Sequence, residues 1–344
     1  MNLEEEKYSK YALCREMVEA ATILGNFNPE ITREFASFIQ TRPKVFITGE
    51  GSSRIFPAKH SIYQALSNGL NVEIMTEGAR QAMEYILGNF IVFGLSNSGK
   101  TSELIQLFNH LKNIHHPYFF GITATKDSPV ELIPQKSIIL SCGIEKAVPA
   151  TKSVMEEAFF FDSLLCNLTD SKLPNLDQLS KNILYTLGIP IDRKIIEAFC
   201  KAPIIYFAGR NDGVAEELTL KTNEITHKKS IFLEGTYALH GIEEVMTNGE
   251  LMIMIDPYPQ EEEKFQKILK EGTGIEIIAI SSRITRFPTL LIPNAAEGKN
   301  YLELAAGWNL LVEAGLMMGI NLDKPSRARK IGNEAVPIEI IEPH

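Results

Sequence analysis

Short, almost fully apolar runs recur along the chain, and each is followed by a turn rich in Gly, Ser, Asp or Pro. Each run is too short to form a buried helix. Apolar runs of this length are typical of strands that are covered on both faces, as in a parallel sheet. The predicted strands are residues 45–48, 90–95, 118–122, 204–208, 251–255 and 275–280.

Segments with a helical repeat of apolar residues lie between these predicted strands. Alternation of strands and helices is typical of a doubly wound α/β fold, in which helices cover both faces of a parallel sheet. The predicted helices are residues 53–67, 101–113, 151–167, 213–227 and 301–318.

The strand-and-turn pattern occurs twice. KVFITGEGSS (44–53) is matched by PIIYFAGRND (203–212), and NFIVFGLSNS (89–98) is matched by ELMIMIDPYP (250–259). We therefore predict two α/β domains of one kind, each a doubly wound, three-layer domain similar to flavodoxin and Rossmann folds. The predicted segments are an N-terminal helical arm (1–40), a first domain (41–170), a second domain (180–320) and a C-terminal tail (321–344).

The chain of 344 residues has an ordinary globular composition, with 44% apolar and 22% charged residues. Its net charge of −9 argues against a general nucleic-acid-binding protein, because binding to a phosphate backbone needs a basic surface. A few local cations and helix N-termini would still suffice to bind a small anion.

The N-terminus is polar and acidic, unlike a signal peptide, and no apolar run is long enough to span a bilayer. The four cysteines are far apart and lack the spacing of metal ligands. We therefore expect a cytoplasmic protein with reduced thiols, no metal site and no membrane partner. The cysteines are Cys14, Cys142, Cys166 and Cys200.

Residues 94–101 read GLSNSGKT, which fits the pattern G-x-x-x-x-G-K-[ST] of a nucleotide-binding P-loop. The strand LMIMID (251–256) would then supply a Walker B aspartate. Walker A and Walker B strands share one sheet, however, whereas these two strands take equivalent places in two predicted domains. We therefore predict that the turn holds a different phosphate compound.

This turn is suited to a phosphate monoester. Ser96, Ser98 and Thr101 supply hydroxyl groups, and Gly99 allows close approach of the backbone. The helix that follows has unpaired N–H groups and a positive potential at its start. The alternative is that Ser98 or Thr101 only caps this helix. The density of hydroxyl groups favours phosphate binding over capping alone.

Two more loops are predicted to face the same crevice, because the carboxyl ends of neighbouring parallel strands meet at one edge of a sheet. They are GEGSS (49–53) and EKAVPATK (145–152), and each precedes a helix. The matching turn of the second domain, DPYPQEEE (256–263), is acidic and lacks serine. We therefore expect one phosphate site per chain, in the first domain.

These features together resemble the sugar isomerase (SIS) family. The family's sugar-phosphate loop, Ser-x-Ser-Gly-x-Thr after a strand, matches residues 96–101. Its helix pattern E-x-x-x-K-x-x-E, followed sixteen residues later by His-Gly, matches Glu217, Lys221 and Glu224 with His240. The resemblance covers the chain from about residue 40. It is greatest to the isomerase half of glucosamine-6-phosphate synthase and its stand-alone tandem-domain relatives.

The resemblance implies a homodimer with shared active sites, in which His240 is supplied to the site of the neighbouring subunit. The family's tail lysine, shortly after a proline, matches Lys330 in KPSRARKIG. The chain departs from the family at Ile242, where proline is usual, and at Lys100, where glutamate is common. The predicted substrate-binding residues are Gly51, Ser52, Ser53, Ser96, Asn97, Ser98, Thr101 and Val148.

The predicted catalytic residues are Glu217, Lys221, Glu224, His240 and Lys330. The first three share one helix face by their spacing, and alone they are explained as an exposed Glu–Lys pair that supports the helix. Aldose–ketose interconversion needs a carboxylate to carry a proton between C1 and C2, a role that suits Glu224. His240 would open the ring, unless it is only a structural histidine. Lys221 would stabilise the enediolate or hold the glutamate ionised. Lys330 would reach the carbonyl, as a cation or as an imine-forming amine.

The sequence therefore predicts a sugar-phosphate isomerase or amino-sugar-phosphate deaminase that acts on a hexose or hexosamine 6-phosphate without a cofactor. Since no nucleophilic cysteine follows Met1, we expect no glutaminase activity. Two alternatives stay open, a fructosamine-6-phosphate deglycase and a non-catalytic regulator that binds a sugar phosphate. Retention of Glu224, His240 and Lys330 without a helix-turn-helix module argues against the regulator.

Overall fold

The structure, a computed structural model, describes residues 1–335, and this range contains ten β-strands and thirteen α-helices. Residues 336–344 of the predicted tail lie outside the described residues. The strands are β1 (Lys44–Gly49), β2 (Glu73–Gly78), β3 (Ile91–Leu95), β4 (Phe119–Thr123), β5 (Lys136–Ile139), β6 (Ile204–Gly209), β7 (Lys229–Glu234), β8 (Leu251–Ile255), β9 (Glu276–Ser281) and β10 (Thr289–Leu291). The helices are α1 (Glu6–Ser9), α2 (Ala12–Gly25), α3 (Glu30–Thr41), α4 (Ser52–Ser67), α5 (Ala79–Ala82), α6 (Ser102–Asn113), α7 (Pro129–Leu132), α8 (Lys152–Thr169), α9 (Leu176–Leu187), α10 (Arg193–Lys201), α11 (Val214–Thr226), α12 (Glu262–Phe265) and α13 (Lys299–Met317).

The strands form two five-stranded parallel sheets, which confirms the predicted α/β fold class. Their orders are β2-β1-β3-β4-β5 and β10-β9-β8-β6-β7. Numbered within each sheet, both orders read 2-1-3-4-5. In a sheet of this order, the second strand is added on one side of the first strand and the later strands on the other side. A ligand crevice opens between the first and third strands, beyond their carboxyl ends. In the first sheet this crevice lies between the turns that follow β1 and β3.

All six strands predicted from apolar runs are present, and all six lie inside a sheet. The four strands that the sequence pattern missed, β2, β5, β7 and β10, are the four sheet edges. Edge strands expose part of their length, so polar residues such as Thr76, Ser137 and Ser230 lie within them and break the apolar run on which the prediction depended.

A continuous hydrophobic core joins the two domains, which we define by their sheets. Phe56 of α4, Phe159 of α8 and Tyr301 of α13 meet in it, with the ring of Tyr301 5.6 Å from that of Phe56 and 5.7 Å from that of Phe159. Helices α2 and α3, which form the predicted arm, pack against α8, and α2 also packs against α9.

Helix α11 of the second domain lies against α4 of the first domain at a glycine. Gly213, which precedes α11, has φ of 89°, and a Cβ placed on it would lie 2.8 Å from Cα of Phe56. Only glycine allows both this backbone conformation and this approach. The side chains of Lys59 and Glu216 form an ion pair beside the contact. One face of α11 is thereby brought to the crevice of the first sheet.

Candidate active site

A cavity of about 580 Å³ lies at the crevice between the turns that follow β1 and β3. Its other walls are α11, the loop that precedes α8, and the C-terminal tail. All eight predicted substrate-binding residues line it, together with two of the predicted catalytic residues, Glu224 and Lys330. The residues that the sequence did not single out are Glu50, Glu103, Ala150, Leu220, Arg327, Ala328, Arg329, Ile331, Gly332 and Asn333.

The hydroxyl groups of the turn after β3 point toward one another. Ser96 Oγ lies 2.8 Å from Thr101 Oγ1 and 3.4 Å from Ser98 Oγ. Thr101 takes the N-cap position of α6, but its side chain makes no capping hydrogen bond. Capping therefore does not account for Thr101, and the three hydroxyl groups together offer a polar patch to a ligand in the cavity.

Gly99 fixes the shape of this turn. Its φ is 65°, and a Cβ placed on it would lie 2.0 Å from Ser128 Oγ. Its N–H group donates to the carbonyl oxygen of Ser96 at 3.0 Å. A residue with a side chain would be strained here and would also collide with Ser128.

The geometry is unlike that of a P-loop. Lys100 does not line the cavity, and its ammonium group pairs with Glu334 of the tail at 3.2 Å. In a P-loop this lysine reaches the phosphates. The supposed Walker A and Walker B strands, β3 and β8, also lie in different sheets.

Three charged residues of α11 form one ion-pair cluster. Lys221 Nζ lies 2.7 Å from Glu224 Oε2 and 3.3 Å from Glu217 Oε1. It also donates to Ser52 Oγ of the first domain at 2.7 Å. Only Glu224 reaches the cavity, since the side chains of Glu217 and Lys221 are fully buried beneath its wall.

The charges of this cluster depend on one another. Burial opposes the charge of Lys221, but the carboxylates of Glu224 and Glu217 outweigh it and raise the pKa of the lysine above its ordinary value. Burial also raises the pKa of Glu217, and Lys221 offsets part of this rise. Lys221 therefore stays an ammonium group next to the exposed edge of Glu224.

The loop before α8 is held by a buried carboxylate, Glu145, which the sequence analysis did not single out. Glu145 accepts hydrogen bonds from Thr151 N at 2.7 Å and Ser153 Oγ at 2.9 Å, and it pairs with Lys330 at 3.2 Å. Burial opposes its charge, but Lys330 and these donors hold the pKa of Glu145 below its ordinary value. A glutamate at the start of this loop was visible in the sequence, but its burial was not.

Lys330 joins the tail to the same loop. Its ammonium group donates to the carbonyl oxygens of Ala147 at 2.7 Å and Val148 at 3.4 Å, as well as to Glu145. Three acceptors match the three N–H donors of an ammonium group.

Another buried carboxyl group, Glu157 of α8, lies beneath the site. Burial, followed by the negative charge of Glu145, raises the pKa of Glu157 well above its ordinary value. Among the residues that the structure describes, neither of its carboxyl oxygens has a hydrogen-bond partner. No local pattern indicated this residue, because the burial of a single glutamate leaves no mark on the neighbouring sequence.

The tail crosses the start of α6. Ser102 N donates to the carbonyl oxygen of Asn333 at 2.9 Å, and Ala335 N donates to that of Lys100 at 3.0 Å. One of the helix N–H groups that the sequence analysis assigned to a ligand is therefore occupied by the tail. The side-chain hydroxyl groups of the turn remain on the cavity wall.

His240 lies outside the cavity of its own chain. It is exposed, and it follows a short 3-10 turn (Tyr237–Leu239) that comes after β7. Its place in the protomer thus separates it from Glu224.

The corresponding crevice of the second sheet is filled by its own side chains. The guanidinium group of Arg210 donates to Asp256, at 2.7 Å to the carbonyl and 3.0 Å to the carboxylate, and stacks 4.4 Å from the ring of Tyr258. The space left there is about 10 Å³. Of the two crevices, that of the first sheet is therefore much the larger.

Within residues 1–335, no helix is both long and apolar enough to cross a membrane. Across the same range, His, Cys, Asp and Glu side chains form no group of three that could hold a metal ion. The four cysteine thiols are free, with Cys14 and Cys142 buried.

Comparison with known protein families found no match, and neither did comparison with curated proteins. Solved structures do match over nearly the whole chain. The C-terminal domain of glucosamine-fructose-6-phosphate aminotransferase from Francisella tularensis matches with a TM-score of 0.76 at 15% identity, covering 93% of this chain and 100% of that one.

Two other structures are similar to the same extent. Glucosamine-6-phosphate deaminase from Thermotoga maritima has a TM-score of 0.75 at 20% identity, covering 95% of this chain and 99% of that one. Tagatose-6-phosphate ketose/aldose isomerase from Escherichia coli has a TM-score of 0.75 at 15% identity, covering 94% and 99%. The chain therefore has the two-domain fold that these phosphosugar enzymes share, as the resemblance to the sugar isomerase family implied.

Proposed function

We propose that the chain is an enzyme of the sugar isomerase type, an isomerase or deaminase that acts on a hexose or hexosamine 6-phosphate. The single observation that carries this proposal is that one cavity holds both the hydroxyl turn and the Glu224 carboxylate. The turn and the carboxylate come from different domains, so their meeting is a property of the whole fold. The names of the structurally similar enzymes point to the same class of substrate.

The hydroxyl turn would hold the phosphate group. Ser96, Ser98 and Thr101 offer hydroxyl donors beside the N-terminus of α6, where the helix dipole favours negative charge. The phosphate would anchor one end of the substrate and leave its carbon chain free to extend across the cavity toward α11.

Glu224 would act as the base. It would take the proton from C2 of an aldose, or from C1 of a ketose, and return it to the other carbon through an enediol. Lys221 would hold the carboxylate of Glu224 in position, because its ammonium group lies 2.7 Å from that carboxylate. Since Lys221 and Glu217 are buried, we assign them a positioning role and not direct contact with the substrate.

Lys330 would close the cavity from the tail side. Its bonds to Glu145, Ala147 and Val148 hold the tail against the loop before α8. A fixed ammonium group at this wall would stabilise negative charge that develops on the substrate oxygen during proton transfer.

We further propose that His240 opens the sugar ring in the site of a second copy of the chain. The side chain is exposed and lies away from its own cavity, and no histidine lines that cavity within residues 1–335. A symmetric dimer could bring this loop to the partner's site, making the homodimer the active form.

A thermal-shift panel tests the proposed substrate class. Glucose 6-phosphate, fructose 6-phosphate and glucosamine 6-phosphate should stabilise the protein, by about 2.7 kcal/mol at 100 times the dissociation constant. Unphosphorylated glucose and Mg-ATP should not, and Ser98→Ala should weaken the response to the sugar phosphates. Stabilisation by Mg-ATP alone would contradict the proposal.

A further inference from the structure

Two arginines on the cavity wall have no part in the chemistry proposed above. Arg327 and Arg329 of the tail line the cavity and are exposed. Within the described range, 1–335, neither forms an ion pair, whereas five other arginines do. The neighbouring Lys330 is fully engaged with the loop before α8.

The arginines reach the cavity from the tail, whereas the hydroxyl turn follows β3. Glu334 of the tail forms an antiparallel β-bridge with Thr101. Lys330 of the tail donates a hydrogen bond to the carbonyl oxygen of Ala147. In the sequence, Arg327 and Arg329 precede Lys330, whereas Glu334 follows it. The hydroxyl turn and the arginine pair thus line one cavity from two different segments of the chain.

The cavity also has room for more than a monosaccharide phosphate. Its volume of about 580 Å³ lies within the range of about 300–1,000 Å³ that accommodates drug-sized ligands, which are larger than a hexose 6-phosphate. The two acidic residues near its rim are already engaged. Glu50 accepts from Ala79 N at 2.9 Å, and Glu103 accepts from Asn333 Nδ2 at 2.8 Å.

A guanidinium group presents a planar fork of donors that matches a carboxylate or a phosphate. We propose that Arg327 and Arg329 bind a second anionic group of the substrate. The natural substrate is then a hexose or hexosamine 6-phosphate whose other end carries a carboxylate or a second phosphate. This inference rests on the proposed function, and a carboxylate arm fits the deglycase alternative, whose substrate is an amino-acid-linked fructosamine phosphate.

Titration calorimetry with matched ligands tests the inference. The probes are fructose 6-phosphate, fructose 1,6-bisphosphate, and fructose 6-phosphate linked at C1 through nitrogen either to glycine or to methylamine. The last two differ only in the carboxylate. Wild type should bind the glycine conjugate, or the bisphosphate, about tenfold or more tightly than the matched ligand without the second anion, as expected for hydrogen bonds between charged groups.

The variant R327Q/R329Q should lose this preference and still bind fructose 6-phosphate about as well as wild type. The control Arg193→Gln, at an exposed position on α10, should bind all four ligands like wild type. A preference for the glycine conjugate alone identifies the second anion as a carboxylate, and a preference for the bisphosphate alone identifies it as a phosphate. Equal binding of all four ligands, or equal weakening of all four in R327Q/R329Q, would overturn the inference. If wild type bound none of them, the proposed function itself would fail.

Discussion

Lys221 Nζ lies 2.7 Å from Ser52 Oγ, and this hydrogen bond joins the second domain to the first. The same ammonium group lies 2.7 Å from Glu224 Oε2. The position of the carboxylate in the cavity is therefore set relative to the turn after β1 by one buried lysine. Strands β1 and β3 are paired, so the hydroxyl turn after β3 lies beside the turn after β1. Lys221 therefore links the Glu224 carboxylate to the part of the site that contains the hydroxyl turn.

Replacement of this lysine should destabilise the protein strongly. Lys221→Met leaves the buried carboxylate of Glu217 without its partner, which typically costs about 3–5 kcal/mol in the free energy of unfolding. Urea denaturation at neutral pH measures the effect. Lys229→Met, at an exposed position on edge strand β7, serves as the control and should be nearly neutral.

A double variant tests whether the effects of Glu217 and Lys221 on stability depend on each other. E217Q/K221M removes both partners, so it should be less destabilised than the sum of the two single variants. Additive effects would show that Glu217 and Lys221 are not coupled and would contradict the ion pair between them.

Gly99 should be irreplaceable in the hydroxyl turn. Gly99→Ala places a Cβ within 2.0 Å of Ser128 Oγ at a φ of 65°, so the turn must move. We expect loss of sugar-phosphate binding and a lower melting temperature. Gly88→Ala is the matched control, because nothing lies within 4 Å of a Cβ at that position. Normal binding by the Gly99 variant would contradict the proposed phosphate site.

Stability should depend on pH through Glu303 of α13. Burial, followed by the charge of Asp212, raises the pKa of Glu303 from its ordinary value of 4.5 to about 8, against the effect of Lys299 at 3.5 Å. An acid with a raised folded-state pKa favours folding while protonated, so its contribution is complete below pH 4.5 and is lost as the pH rises through about 8.

Glu303→Gln should remove this part of the pH dependence. Relative to wild type, the variant should gain free energy of unfolding between pH 5 and pH 9, with about 1.4 kcal/mol for each unit of pKa shift removed. Denaturant unfolding of both proteins at pH 5, 7 and 9 measures the difference. Parallel curves for the two proteins would show that Glu303 does not titrate in this range.

Shared active sites predict complementation between two inactive variants. E224Q and H240A should each be inactive as homodimers. When the two chains are co-expressed, each mixed dimer has one site with both Glu224 and His240 intact, so activity should return in part. Complete inactivity of the mixed dimers, verified by mass, would contradict the supply of His240 to the partner's site, and an active H240A homodimer would place His240 outside the reaction.

The sequence was sufficient for the interior of both sheets because β1, β3, β4, β6, β8 and β9 are covered on both faces and therefore almost fully apolar. It was insufficient for edge strands such as β2 and β10, whose exposed residues carry no continuous apolar signal. Strand order also could not be read from the chain, although it decides which turns share a crevice.

The candidate site likewise contains residues that the sequence predicted and residues that it did not. Ser96, Ser98 and Thr101 are close in sequence and follow a recognisable strand, so local pattern was enough to predict them. Glu145 and Glu157 are both buried, and Glu145 pairs with the distant Lys330. Burial of a charged residue has no local signature. The contact of Asn333 with Ser102 joins residues more distant still.

Deuterium exchange is the most direct test of the central claim, that a sugar phosphate held by the hydroxyl turn presents its C1–C2 bond to Glu224. Wild type is incubated in D2O with fructose 6-phosphate, glucose 6-phosphate or glucosamine 6-phosphate, and proton NMR follows the signals of C1 and C2. We expect exchange at one of these carbons, and a rate lower by about 10²–10⁴-fold in Glu224→Gln, which should still bind the ligand. Glu263→Gln, at an exposed carboxylate, should exchange like wild type. Undiminished exchange in Glu224→Gln, or no exchange by wild type with a sugar phosphate that it binds, would contradict the claim.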